Sequence, residues 1–278
     1  MVTMYKKEII NSVEVFYREA GIGNERTILL LHGFPTSSHM FRGLIPLLAK
    51  KFHVIAPDLP GFGPEAPSRD SFHYSFDNLK NVIYGLTDKL NLETFSLYVF
   101  DFGAPVGFRL AIEHPEKIEA IISQNGNIYE EGLGEVAQQL LLATEENRDD
   151  FAFALSYDAI KQSYFHNDNP QLISPDAYNL DEYYMNLPGR KEIQLDLIVD
   201  YHTNVAIYPK FQEFLREYKP KVLAVWGKGD AFFTPEGAEA FKKDVPDAEI
   251  HLLDAGHFAL ESHTEIIANY IHGFFEKF

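Results

Sequence analysis

The sequence predicts an α/β fold: a mostly parallel sheet flanked by helices, with one inserted helical block. Three observations carry this. Apolar β-type runs alternate with helix-spaced segments from Thr27 onward, the alternation stops between residues 128 and 215, and it resumes at Lys221. The chain opens on a predicted hairpin, residues 6–10 and 13–18, with Asn11-Ser12 as the turn. Thr27-Ile28-Leu29-Leu30-Leu31 is continuous in apolar residues, as a strand covered on both faces tends to be. A helix is expected over 40–50, a strand at Val54-Ile55-Ala56, and a helix over 76–90. The spacing then predicts a strand over 95–100, a helix over 106–113 stopped by Pro115, and a strand over 118–123. After the break come a strand at 222–226, a helix over 235–243, a strand over 249–253 and a last helix over 264–275. The expected division is a core of residues 1–127 and 216–278 and a helical cap of 128–215. An insertion at the carboxyl ends of the strands covers the place where such sheets bind ligands.

Composition narrows the field. With 278 residues, 46% of them hydrophobic, the chain can bury a full core and needs neither disulfide nor metal to fold. The absence of cysteine excludes thiolate chemistry and zinc–thiolate sites. A formal net charge of -17 argues against nucleic acid and anionic membrane as partners. No apolar run is long enough to span a bilayer, and the start lacks the apolar stretch of a signal peptide, so a cytoplasmic location is expected.

Four short segments carry chemistry, each weak alone. Leu31-His32-Gly33-Phe34-Pro35 follows a strand directly, and a turn there can aim the Phe34 N–H into a cavity as half of an oxyanion hole. In Val99-Phe100-Asp101-Phe102-Gly103 a strand runs through an acid straight into a helix. That is the setting of a nucleophile elbow, with Asp101 at the nucleophile position, Gly103 at the second glycine and Val99 in place of the first. An aspartate before a helix is more often a simple cap. Asp230, in Trp226-Gly227-Lys228-Gly229-Asp230, could orient a histidine, although turn aspartates are common. His257 follows the last strand through Ala255-Gly256, and is one of 11 histidines. Their order decides the matter: nucleophile, acid and histidine each follow a different parallel strand, so all three meet at one edge of the sheet beside Phe34.

With these residues in place, the chain resembles the epoxide hydrolase and haloalkane dehalogenase branch of the α/β-hydrolase superfamily. The likeness rests on the His32-Gly33-Phe34-Pro35 turn, the run from Ala56 to Gly63, the Asp101 elbow, the Asp230 turn and Gly256-His257-Phe258. It implies catalysis by Asp101, Asp230 and His257 through an alkyl-enzyme ester, with the N–H groups of Phe34 and Phe102 as the oxyanion hole. It implies no cofactor or metal, and a small uncharged organic substrate with water as the second reactant. Within the branch, haloalkane dehalogenases hold the leaving halide with side-chain N–H groups, typically a tryptophan after the nucleophile. This chain has Phe102 there and Phe34 in the turn, neither of which can donate, and its one tryptophan, Trp226, ends a strand. The arginines with which fluoroacetate dehalogenases grip a carboxylate are matched by Phe102 and Pro105, and Arg109 lies further along the helix.

Epoxide hydrolases use cap tyrosines as acids, and eight of the 15 tyrosines fall in the block: Tyr129, Tyr157, Tyr164, Tyr178, Tyr183, Tyr184, Tyr201 and Tyr208. The resemblance points to Tyr201 first and Tyr164 second. Epoxide hydrolysis to a diol is the expected activity. Dehalogenation through an unusual halide site built from Gln124, Asn125, Asn127 or cap tyrosines is one alternative. A non-catalytic small-ligand binding protein on the same fold is the other, and such a protein needs none of the three catalytic positions.

Overall fold

The computed structural model describes residues 2–278. Eight strands form one sheet: β1 (Met4–Ile10), β2 (Val13–Ala20), β3 (Thr27–Leu31), β4 (His53–Pro57), β5 (Phe95–Phe100), β6 (Ile118–Gln124), β7 (Lys221–Gly227) and β8 (Glu249–Leu253). Their order is β1-β2-β4-β3-β5-β6-β7-β8. β1 and β2 pair antiparallel through the Asn11-Ser12 turn, where both residues take positive φ, and β2 runs antiparallel to β4. Every other pairing is parallel. From β3 the chain steps outward to β4, then crosses back to β5 and proceeds the other way. That reversal opens a crevice beyond the carboxyl ends of β3 and β5.

Helix α1 (Leu44–Leu48) follows β3, α2 (Phe76–Lys89) follows β4 and α3 (Gly103–Glu113) follows β5. Between β6 and β7 lie α4 (Glu135–Leu140), α5 (Tyr157–Phe165), α6 (Pro175–Met185), α7 (Arg190–Asp200) and α8 (His202–Tyr218). α9 (Pro235–Asp244) and α10 (Ala259–Phe275) follow β7 and β8. The central strands β3 and β5 bury both faces, with successive residues facing opposite sides. Leu29, Leu31, Leu97 and Val99 join one core with residues of α2, α3 and α9; Ile28, Leu30, Tyr98 and Phe100 join the other with α1 and α10. No helix among the described residues is long and apolar enough to cross a membrane.

Boundaries differ from the sequence expectation by a break or by three residues or more at four places. The helix expected over 40–50 divides into a 3-10 turn (Ser38–Phe41) and the short α1. Pro46 falls in the first turn of a helix starting at Leu44, where its missing N–H costs nothing; a helix running through from residue 40 would lose a bond there. α3 starts at Gly103, three residues earlier than expected, and Pro105 is accommodated in its first turn for the same reason. α10 starts at Ala259, and the expected start near 264 coincides with a kink at His263. The boundary drawn at 215 falls inside α8, which runs on to Tyr218.

Candidate active site

Asp101 stands at the end of the fully buried β5, one residue before the N-cap of α3. Its φ of 46° lies in the left-handed region, a conformation that costs a non-glycine residue about 1–3 kcal/mol. The strain turns the side chain out of the sheet edge at the start of an 11-residue helix. Gly33 is required opposite: a Cβ there would overlap Oδ1 of Asp101 and the amide nitrogen of Phe102. The Phe34 N–H donates to Oδ1 at 2.6 Å, and the Phe102 N–H bonds the same carboxylate. Val99 occupies the place of the elbow's first glycine, and the room is found on the helix instead: a Cβ at Gly107 would press on Val99 Cγ1. Burial pushes the Asp101 carboxyl up to about 6, against the downward pull of His257 and the two N–H groups.

His257 approaches from the turn after β8. Its Nδ1 lies 2.7 Å from Oδ2 of Asp230 and its Nε2 lies 3.8 Å from Oδ2 of Asp101. With Asp230 ionised, Nδ1 carries the proton and the Nε2 lone pair faces Asp101. Asp230 is itself held: Oδ1 accepts from the Phe232 N–H at 2.7 Å and Oδ2 from Asn125 Nδ2 at 2.7 Å. Asn125 Oδ1 in turn accepts from the Gly227 N–H at 3.0 Å and from Gln124 Nε2 at 2.7 Å. Phe100 and Phe232 pack on the imidazole with ring centroids 4.7 and 4.8 Å away. Burial alone would depress His257, but the charge of Asp230, its hydrogen bond and the charge of Asp101 outweigh it, and the imidazole titrates above its ordinary value. Among the described residues no group of three or more His, Asp or Glu is arranged to hold a metal ion.

These side chains open on a cavity of about 320 Å³. Phe34, Phe102, Phe232 and Phe258 line it from the sheet side, Ala137, Leu140, Ile160 and Ile198 from the inserted helices. Tyr201, at the junction of α7 and α8, lines it too, against the rings of Phe102 and Phe76. Its hydroxyl meets that of Tyr208 at 3.5 Å, and burial holds it well above the ordinary tyrosine range. Tyr164 is placed differently from the sequence expectation. It does not line the cavity; its hydroxyl donates to Asp181 at 2.6 Å, and its ring stacks on Phe258, behind the site. Tyr164 sits on the face of α5 that packs into the core, while Gln162 and Ser163 reach the cavity.

The amide side chains considered as halide donors are also turned elsewhere. Gln124, Asn125 and Asn127 donate to Asn125 Oδ1 and the His257 carbonyl, to Asp230, and to the Tyr129 carbonyl respectively. None lines the cavity, and the Trp226 indole donates to the Phe233 carbonyl at 2.8 Å. Arg109 likewise points away. It donates from Nε to Asp77 at 2.8 Å, from Nη1 to Asn204 and from Nη2 to Thr203 at 3.0 Å. Asp200 accepts from the Phe76 N–H at 2.7 Å, completing a knot around the junction that carries Tyr201. Sequence reasoning missed the bond from Asn125 to Asp230, the knot at Arg109 and the Tyr208 contact. Only Asn125 left a signal, as a polar residue just past a strand, at the sheet edge where Asp101, Asp230 and His257 meet.

The fold and the site define one class of protein. A model of the α/β-hydrolase fold matches residues 26–264, and the chain belongs to that family. An uncharacterized hydrolase of Saccharomyces cerevisiae, YNR064C, is 45% identical over 283 residues, spanning 98% of this chain and 97% of its own. A haloalkane dehalogenase of Psychrobacter cryohalolentis is 33% identical over 116 residues, 41% of this chain and 38% of that one. Among solved structures, Cfl2 of Burkholderia cenocepacia superposes with a TM-score of 0.84 at 22% identity, covering 98% of this chain and 96% of that one.

Proposed function

We propose that this hydrolase is an epoxide hydrolase converting an epoxide to a diol, with residues 128–215 as a cap over the site. The observation that carries the reading is the pairing of Asp101 with Tyr201 across one buried cavity, while Trp226 and the nearby amides have their N–H groups engaged elsewhere. An epoxide needs a nucleophile on carbon and an acid on oxygen; a halide needs N–H donors.

In the first step Oδ2 of Asp101 attacks an epoxide carbon, because Oδ1 is already held by the Phe34 N–H. The C–O bond of the ring breaks and the oxygen takes the Tyr201 hydroxyl proton. An alkoxide is a far stronger base than a phenolate, so this transfer runs downhill even from a buried tyrosine. Esterification removes the charge of Asp101, and with it one cause that raises His257. The base is thereby eased toward its neutral form for the second step. His257 Nε2 then takes a proton from water, whose oxygen attacks Cγ of Asp101. Negative charge develops on Oδ1, between the N–H groups of Phe34 and Phe102, where one lost donor typically costs about 3 kcal/mol of barrier. Collapse breaks the Cγ–Oδ2 bond: the leaving oxygen takes the remaining proton of the added water, the proton held on His257 returns through solvent to the Tyr201 phenolate, and the diol departs with the former Oδ2 while the water oxygen stays in the Asp101 carboxylate. A carboxylic ester would instead give a labile anhydride, so esterase chemistry does not suit this nucleophile.

A dehalogenase reading draws support from the haloalkane dehalogenase that shares 33% identity over part of the chain. Assaying the wild type against epoxides and haloalkanes for diol and halide decides between them. Diol from epoxides with no halide is the expected outcome; halide with no diol replaces the epoxide reading with the dehalogenase one.

A further inference from the structure

The cavity has a closed end and an open end. Asp101, Phe102, Tyr201 and His257 are each at most 5% exposed, whereas Phe153, lining the same cavity, is 62% exposed. Gln139 and Gln162 are exposed beside it. Resting on the epoxide reading above, we propose that the substrate is a terminal epoxide bearing a single apolar chain, bound with its ring at the closed end and its chain running out past Phe153.

The position of the reacting groups fixes the orientation. A ring carbon must reach Asp101 while its oxygen reaches Tyr201, and both lie where the cavity is most buried. Behind Tyr201 stand the rings of Phe76 and Phe102, with centroids 5.8 and 5.6 Å away. A second long arm on the epoxide would have to enter that packed aromatic wall. The first arm meets Ala137, Ile160 and Ile198, all buried and apolar. No lysine or arginine lines the cavity among the described residues, and the chain carries a net charge of -17, so a carboxylate on the chain would find neither a partner nor a favourable field.

Size sets a chain-length profile. At roughly 30 Å³ for each water-sized particle, 320 Å³ holds about ten non-hydrogen atoms. Each methylene buried up to that point raises kcat/KM about three- to fourfold. Because Phe153 is a lip and not an end wall, a longer chain emerges into water, and the profile levels off instead of falling.

The test is kcat/KM of the wild type on a series of 1,2-epoxyalkanes running from propane to dodecane. Beside it run an internal epoxide with chains on both sides and a six-carbon terminal epoxide ending in a carboxylate, short enough to keep its charge inside the cavity. A stepwise rise to about ten non-hydrogen atoms, then a plateau, with the last two compounds at least about tenfold slower than the matched terminal one, is the expected result. Ala159→Phe, in the outer wall, should move the plateau to shorter chains. Diol formed with a flat profile, with a fall past the plateau, or with the internal or carboxylated compound preferred overturns this inference and leaves the epoxide reading standing. No diol from any compound overturns both.

Discussion

On one side of the cavity Asp101, Asp230 and His257 hang from the ends of three strands, and every carboxylate oxygen and ring nitrogen of the set has a neighbour in the protein. On the other side Tyr201 stands at a helix junction, and its hydroxyl meets only another tyrosine at 3.5 Å. The helices around it also keep buried polar atoms without a protein partner, on Asp181, Gln194 and Asn204. The sheet side is preorganised by backbone; the helical side is positioned by side chains clamped to side chains. In the proposed mechanism the two sides divide the work. Hydrolysis of the ester depends on the sheet side, and opening of the substrate also needs the helical side. Each substitution should therefore slow one half-reaction more than the other, and transient kinetics separates the two.

The largest effect belongs to His257. His257→Gln should cut turnover by at least about 10⁴-fold, as loss of a residue acting in a catalytic unit does. Ester formation should survive, so intact mass after substrate addition should rise by the mass of the epoxide, on Asp101. A variant that binds substrate and never gains mass would remove Asp101 as the covalent nucleophile. Tyr201→Phe reverses the pattern: the ring and its contacts with Phe102 and Phe76 remain and only the proton donor goes. Ester formation should slow by roughly 10²–10⁴-fold, with ester decay nearly unchanged. Slowed decay with normal formation would break the division between the two sides.

The same contrast explains what the sequence made legible. Asp101, Asp230 and His257 each follow an apolar run that reads as a strand, and parallel strands bring their carboxyl ends to one edge whatever the side chains between them. Phe34 and Phe102 follow for the same reason. The inserted helices offer no such rule. A helix turns by about 100° at every residue, so Ser163 reaches the cavity while Tyr164, one position on, packs into the core. Tyr201 and Tyr164 were equally tyrosines in helical segments; packing sent one to the cavity and the other to Asp181. Arg109 reads as a helix residue beyond the elbow, and nothing in its neighbours marks the partners at Thr203 and Asn204, more than 90 positions away.

A smaller effect comes from pH. In the proposed mechanism Asp101 must be ionised to attack, and burial holds its carboxyl up at about 6. Ester formation should therefore be full above that value and fall about tenfold per unit as pH drops through it. His257 must be neutral in the second step. It titrates above its ordinary value in the free enzyme, partly through the charge of Asp101, which the ester lacks. The acid limb for ester decay should thus lie below the titration of His257 in the free protein, followed by NMR. Coincidence of the two would mean that Asp101 contributes nothing to the histidine's shift.

The smallest effect tests the clamp on the helical side. Arg109 sits on α3, the helix that starts two residues after Asp101, and holds Thr203 and Asn204, two and three residues after Tyr201. In the proposed mechanism it therefore ties the helix junction that carries the acid to the helix that follows the nucleophile, while touching neither Asp230 nor His257. Arg109→Met keeps a long apolar stem beside Phe76, over which the guanidinium now lies at 5.7 Å, and removes the contacts to Asp77, Asn204 and Thr203 and a 3.5 Å bond to the Pro105 carbonyl. Some loss of Tm is expected. Asp77, 74% exposed, regains water when left alone, whereas the fully buried Asn204 loses the donor to its oxygen, at a cost of about 1–3 kcal/mol. Misplacement of a reacting group by about 1 Å can cost 10²-fold, and a shift of part of that should slow ester formation about tenfold. Ester decay should keep its rate, since the clamp does not reach the groups that perform it. A purely structural arginine would lower Tm and leave the ratio of the two steps alone, or slow both together. A changed ratio in folded protein is what a positioning residue produces, and restoration of it by Arg109→Lys would show that the contact to Asn204 or Thr203, not the shape of the guanidinium, sets the place of Tyr201.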